Sequence, residues 1–145
     1  MNTLVSQWQV WAALSAVFAA LTAVFGKIGV ENIDSNFATL IRTVLILAVT
    51  VAIVAGLKSW QPLGEISGRT YMFLALSALA TGASWLCYYK ALQLGPAAGV
   101  ATIDKTSVVL VAVAAAIFLG ESLTALGWLG VLLMTAGAVL VGLKH

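Results

Sequence analysis

Charge is what this chain has least of. Only 8% of its residues are Asp, Glu, Lys or Arg, against about 25% in soluble domains. With 62% hydrophobic residues and a mean hydropathy of +1.08, it cannot cover a folded surface with groups that water tolerates, so a soluble domain is excluded. Cysteine is nearly absent: Cys87 stands alone, which rules out a disulfide framework and a cysteine zinc set. The one histidine, His145, is the last residue, so no histidine-based active site is expected. No Gly-x-Ser-x-Gly, metal-ligand cluster or pair of carboxylates across a midplane is visible. The expectation is a protein that is not an enzyme, with no cofactor and no metal. The net charge of +2 is small and the basic residues are scattered, which argues against a nucleic-acid partner. An ion channel is disfavoured because neither a ring-forming acidic repeat nor a carbonyl filter motif occurs.

What is present is a series of long apolar stretches, each long enough to cross a hydrocarbon layer about 30 Å thick. They predict an all-α integral membrane bundle of five transmembrane helices, at about 8–30, 36–57, 70–94, 97–119 and 123–143. In 145 residues there is room for these spans and for no soluble domain. The N-terminus carries no Lys or Arg before Lys27 and no small-residue cleavage site near Phe25, so it reads as an uncleaved first helix. Ser15, Ala19, Thr22 and Gly26 give that helix a small, weakly polar face suited to close helix contact. Asp34 or Ser35 can cap the second helix, whose polar side carries Asn36, Thr39, Thr43 and Thr50. Arg42 lies about 9 Å inside its start. It either snorkels to the interface or faces a cavity.

After a loop at 58–69 broken by Pro62, Gly64 and Gly68, the third helix repeats Ser77, Thr81, Ser84 and Tyr88 along one side, with Trp85 and Tyr89 beside them. Hydrogen bonding between helices and an interfacial belt for Tyr88 and Tyr89 is one reading. An aromatic wall for a solute is the other, with Trp85 the deeper candidate. Gly95-Pro96 then turns the chain. The fourth helix places Asp104 and Lys105 about 14 Å from the Gly95 end of its apolar segment, where ionised groups are costly and usually functional. Neighbours on a helix diverge by about 100°, so each is expected to need a partner on another helix, a wet cavity or another subunit. Gly120-Glu121-Ser122 makes a short turn with Ser122 as the expected cap and Glu121 near a helix start, where the macrodipole favours negative charge. In the last helix Gly127, Gly130, Met134 and Gly137 share a face, and Ala138 and Gly142 form a small-x-x-x-small pair. Such a segment suits helix packing or a subunit contact.

Five spans put the termini on opposite sides of the membrane. Lys58 and Arg69 then fall on the N-terminal side, and Lys27, Lys90 and Lys144 on the C-terminal side. Orientation follows the bias of Lys and Arg between loops, and here there is almost none. Insertion in both orientations is therefore expected.

The order of several short motifs resembles the EamA-type domain of the drug/metabolite transporter superfamily, in its short, single-domain, five-helix form. The pieces are Trp11-Ala12-Ala13-Leu14-Ser15-Ala16, Asp34-Ser35-Asn36 and Ile41-Arg42-Thr43, then the stretch from Ala80-Thr81-Gly82-Ala83-Ser84-Trp85 through Tyr88-Tyr89-Lys90-Ala91-Leu92-Gln93-Leu94-Gly95. Val100-Ala101-Thr102-Ile103-Asp104-Lys105, Phe118-Leu119-Gly120-Glu121 and the glycine-spaced last helix complete it. Many members carry a proline near the position of Thr102. The resemblance covers nearly the whole of 1–145 and implies a single domain that is half of a ten-helix inverted-repeat transporter fold. A second, inverted copy would complete it, and the even charge split independently fits an antiparallel, dual-topology homodimer in the inner membrane of the cell. Inverted repeats with a midplane site are a general transporter design.

The expected function is secondary transport of a small metabolite or drug-like solute by alternating access. Asp104 is the candidate proton-coupling group, since burial and a neighbouring base act oppositely on a carboxyl group's hold on its proton. Lys105, Arg42, Trp85, Tyr88, Ser84 and Thr81 complete the candidate substrate and coupling set. Gly127, Gly130, Gly137 and Gly142 form the packing or dimer set. The surplus of bases inside the layer favours an anionic or zwitterionic solute. A rival of another class is a non-transporting membrane subunit that stabilises or regulates a partner; solute flux by the purified protein alone separates the two.

Overall fold

A computed structural model describes residues 7–142. The expected end of the last helix at Leu143, and Lys144 and His145, lie outside the described residues. Among the described residues there is no strand. The helices are α1 (Gln7–Gly29), α2 (Ser35–Gly56), α3 (Gly68–Leu94), α4 (Ala97–Asp104), α5 (Ser107–Ala114) and α6 (Ala125–Gly142), with a 3-10 turn at Leu63–Glu65 and a π turn at Ala115–Leu119. Counting α4, α5 and the π turn as one span, five helical segments are long and apolar enough to cross a membrane. Large side chains such as Leu47, Leu79, Leu110 and Phe118 are exposed. That is the arrangement expected when the surrounding solvent is hydrocarbon and all backbone polar groups are satisfied within helices. The described residues form two compact units, a mid-chain unit of residues 26–93 and a terminal unit of residues 7–25 with 94–142.

In the mid-chain unit the core gathers where the loop after α1 meets the start of α2 and the end of α3. Val30, Ser35, Ala38, Thr39, Tyr89 and Leu92 are buried there. Asp34 caps α2, its carboxylate accepting from the N–H groups of Asn36 at 2.9 Å and Phe37 at 3.1 Å. This satisfies donors that a helix start otherwise leaves unpaired. Thr39 donates to the Ser35 carbonyl and Thr43 to the Thr39 carbonyl, both at 2.8 Å, so neither hydroxyl is orphaned among apolar neighbours. At the end of α3, Lys27 Nζ donates to the Leu92 carbonyl at 2.6 Å. Gln93 Nε2 donates to the carbonyls of Val30 at 3.1 Å and Ile33 at 2.7 Å. Gly26 eases the close approach: a β-carbon there would lie 3.2 Å from Leu92 Cδ1 and 3.4 Å from the Tyr89 hydroxyl. At the far end of α2, Lys58 takes a left-handed conformation with φ 53°. The Ser59 N–H reaches the Val54 carbonyl and the Lys58 N–H that of Ala55, which is a Schellman closure.

In the terminal unit the expected single helix over 97–119 is interrupted. After Asp104 the backbone tightens: the N–H groups of Thr106, Val108 and Val109 reach the carbonyls of Ile103, Lys105 and Thr106, three residues back. Two threonines help to draw the ladder off register. Thr102 Oγ1 donates to the Ala98 carbonyl and Thr106 Oγ1 to the Ile103 carbonyl, each at 2.7 Å. Hydroxyls bonded back into a helix compete with its own hydrogen bonds and bend it. The π turn closes at Gly120, which is left-handed at φ 67°, a conformation that glycine adopts without a β-carbon penalty. The expected cap Ser122 is replaced by Thr124, whose hydroxyl accepts from the Gly127 N–H at 3.2 Å; α6 accordingly starts at Ala125. Helix α6 packs on α4 and α5, with Val131 and Ala138 buried.

Candidate functional site

Arg42 sits two turns into α2, on the same stretch as the buried Ala38 and Thr39. Its guanidinium carbon lies 3.7 Å from the centre of the Trp85 ring and 5.3 Å from that of Tyr89. Trp85 and Tyr89 are four residues apart on α3 and therefore share a face. The negative faces of both rings meet the cation, an interaction worth about 0.5–1 kcal/mol at exposed sites and about 2 kcal/mol or more when desolvated. The depths agree: Arg42 is about 10 Å from the start of α2 and Trp85 about 14 Å from the end of α3, and those two ends adjoin through the buried cluster. The structure holds the Arg42 guanidinium on aromatic rings of the neighbouring helix, an arrangement that neither of the two readings specifies. Tyr89, which stands beside Trp85 in the aromatic-wall reading but outside the candidate set, shares the contact with Arg42, and its spacing of four from Trp85 is the signal in the sequence.

The other expected residues of α3 are placed differently. Tyr88 is half-buried, its ring 6.5 Å from that of Tyr89 and tilted by 54°. Thr81 donates its hydroxyl to the Ser77 carbonyl at 2.9 Å, and both Thr81 and Ser84 are exposed.

Asp104 and Lys105 belong to the terminal unit. They bridge each other at 3.3 Å, their side chains 37% and 56% exposed. The expectation that each needs a partner outside its own turn is thereby corrected. It assumed a continuous helix, whereas the chain leaves the α-helix at this point and the flexible four-carbon stem of Lys105 brings its ammonium back to the adjacent carboxylate. The pair stands at a break between two short helices in the middle of an apolar span. Glu121 is exposed in the segment before α6.

The glycines of α6 divide. A β-carbon on Gly142 would touch Ile103 of α4 at 3.4 Å, and one on Gly127 would touch Leu123 at 3.4 Å, while Gly130 and Gly137 have nothing within 4 Å. The first pair is thus used within the chain, and the second pair faces open space. No group of metal-ligating residues occurs among the described residues.

Five helices long and apolar enough to cross a membrane make this a multi-pass membrane protein. Residues 6–143 match the EamA-like transporter family. The chain belongs to that family, the one its motif order resembles, and is a membrane transporter. It is similar to a Sinorhizobium protein described as an uncharacterized transporter in the cobO 3′ region, at 62% identity over 134 residues covering 92% of this chain and 95% of that protein. No solved structure matches.

Proposed function

We propose that the protein is a secondary transporter of a small metabolite or drug-like solute, working by alternating access as an antiparallel homodimer in the inner membrane. The observation that carries this reading is the Asp104–Lys105 pair at a helix break in mid-span. Broken helices are where transporters place substrate and coupling groups, because irregular backbone inside a membrane survives only where it lines a cavity or is covered by protein. A half-exposed ion pair facing lipid alone would be costly. A second, inverted copy supplies the wall that the chain itself leaves open, and the near-even split of Lys and Arg between the two sides supports insertion both ways. In each cycle Asp104 exchanges its bridge to Lys105 for a proton as the solute engages the freed base, and that exchange couples the two faces.

Two experiments test this. Purified protein in liposomes moves solute without any other subunit, and D104N loses the response to a proton gradient; full activity with coupling retained excludes the coupling role. Reporters fused to the C-terminus, or cysteines introduced into a C87S background and labelled from each side, report both orientations; labelling from one side only excludes the antiparallel dimer. The exposed Gly130 and Gly137 are the proposed contact between copies.

A further inference from the structure

We propose that Arg42, held on Trp85 and Tyr89, is the binding group for an oxyanion, a carboxylate or phosphate carried by the transported solute. The assignment deepens the transporter reading and rests on it. A guanidinium has two kinds of surface: flat faces that stack on rings, and an edge of five N–H donors in a fixed fork that matches an oxyanion in a bidentate manner. Here the rings take a face, with Trp85 at 3.7 Å. The edge is unclaimed. Among the described residues no carboxylate bridges Arg42 and no acceptor meets its N–H groups; its contacts are the two rings. The nearest acid along α2, Asp34, is spent on the helix cap. A base inside an apolar span with its faces stacked and its donors unpaired is oriented and lacks only its anion.

The same geometry excludes the opposite specificity. Aromatic rings in a membrane cavity ordinarily invite cations, but these two already hold one. A cationic solute would have to expel Arg42 from Trp85 and would gain in exchange no more than the rings now supply. The stacking also fixes the depth of the site, one to two turns below the buried cluster around Leu92 and Ser35. There an anion is shielded from water and the charge-assisted bonds are strengthened.

The test is a binding titration of the purified full-length protein in detergent. Benzoate, inorganic phosphate and tetraethylammonium are added separately at matched ionic strength, and tryptophan fluorescence is read. Benzoate or phosphate gives a saturable change, most of which disappears in W85F, and tetraethylammonium gives none. R42Q weakens oxyanion binding at least about tenfold. R42K, which keeps the charge and loses the fork, weakens it less while keeping the preference for anions. Gel filtration of both variants at the wild-type volume shows that the fold is retained, and R42K carries the test if R42Q does not fold. No saturable response to either oxyanion, equal affinity in the Arg42 variants, or tighter binding of tetraethylammonium overturns the assignment. A change produced only by added phosphatidylglycerol assigns Arg42 to a lipid headgroup and overturns it as well. Binding in detergent requires no alternating access. Retained binding with no flux therefore counts against the transport reading, and flux with no anion binding counts against this one.

Discussion

The two compact units solve one problem, a charge inside an apolar span, in opposite ways. In the mid-chain unit the charge is held by tertiary structure: Arg42 on one helix meets Trp85 and Tyr89 on another. In the terminal unit it is held locally, by neighbours in sequence where the helix gives way, as Lys105 folds back on Asp104. A tertiary arrangement ties the charge to helix packing, so disturbing it disturbs the fold. A local one leaves the pair free to open without unpacking anything. The first suits a fixed binding element and the second suits a part that changes partner during a cycle.

Breaking the local pair is expected to have the largest functional effect and almost no structural one. D104N should lower proton-driven flux at least about tenfold, the scale of losing a charge-assisted interaction. Its thermal unfolding in detergent should stay close to wild type, because half-exposed ion pairs contribute about 0–1 kcal/mol. A large drop in unfolding temperature would make the pair a structural element and erase the contrast between the units.

Breaking the tertiary arrangement should do the reverse. W85A removes the stacking partner of Arg42 and the packing of a half-buried indole, and should destabilise the protein by about 3 kcal/mol. W85F keeps a ring and should cost less. The interaction is isolated by a cycle over R42K, W85A and the double variant in thermal or denaturant unfolding. A coupling of about 0.5–2 kcal/mol is expected, and additivity would mean that the ring and the guanidinium touch without depending on each other.

The residues show what kind of fact a sequence carries. Arg42, Trp85, Asp104 and Lys105 are conspicuous because polar and aromatic groups inside apolar spans are costly or specialised, so composition alone singles them out. The five spans and the family follow for the same reason, from length, hydropathy and the order of motifs. The stacking of Arg42 was not legible, because it depends on how α2 and α3 are rotated about their axes, which no local pattern sets. Tyr89 is legible in part: it follows Trp85 by four residues and so shares its face. The break after Asp104 was hidden because no proline or glycine marks it. Its signal is the pair Thr102 and Thr106, whose hydroxyls take carbonyls from the helix, and threonine in a membrane helix more often does this without breaking it. On a continuous helix the two side chains diverge by about 100°, and the break is what lets Lys105 fold back on Asp104.

The open side of α6 gives a smaller and sharper comparison. A β-carbon at Gly137 has nothing within 4 Å among the described residues, whereas one at Gly142 already touches Ile103 at 3.4 Å, so the larger leucine crowds the second site and not the first. G137L should leave the unfolding temperature of the monomer unchanged and weaken self-association in crosslinking or single-molecule counting. G142L should lower the unfolding temperature, with an overpacking cost of about 1–3 kcal/mol. If G137L associates as the wild type does, the contact between copies lies elsewhere.

The smallest effects are expected where the two units end their helices, and they bear on orientation as well as stability. Both α2 and the π turn close on a left-handed residue, but one is Lys58 at φ 53° and the other Gly120 at φ 67°. A β-carbon in that conformation costs about 1 kcal/mol, and glycine's extra freedom in the unfolded chain returns part of it. K58G should therefore stabilise by a few tenths to about 1 kcal/mol, and G120A should destabilise by about 1 kcal/mol, both read from unfolding in detergent. Lys58 is also one of only two basic residues assigned to the N-terminal side. Removing it changes the balance from two against three to one against three. Because the more basic side stays cytoplasmic, C-terminal reporters on K58G should shift toward the cytoplasm, while K58R, which keeps the charge, should not. A K58G protein that gains stability yet keeps both orientations in the wild-type ratio would mean that something other than loop charge sets the insertion.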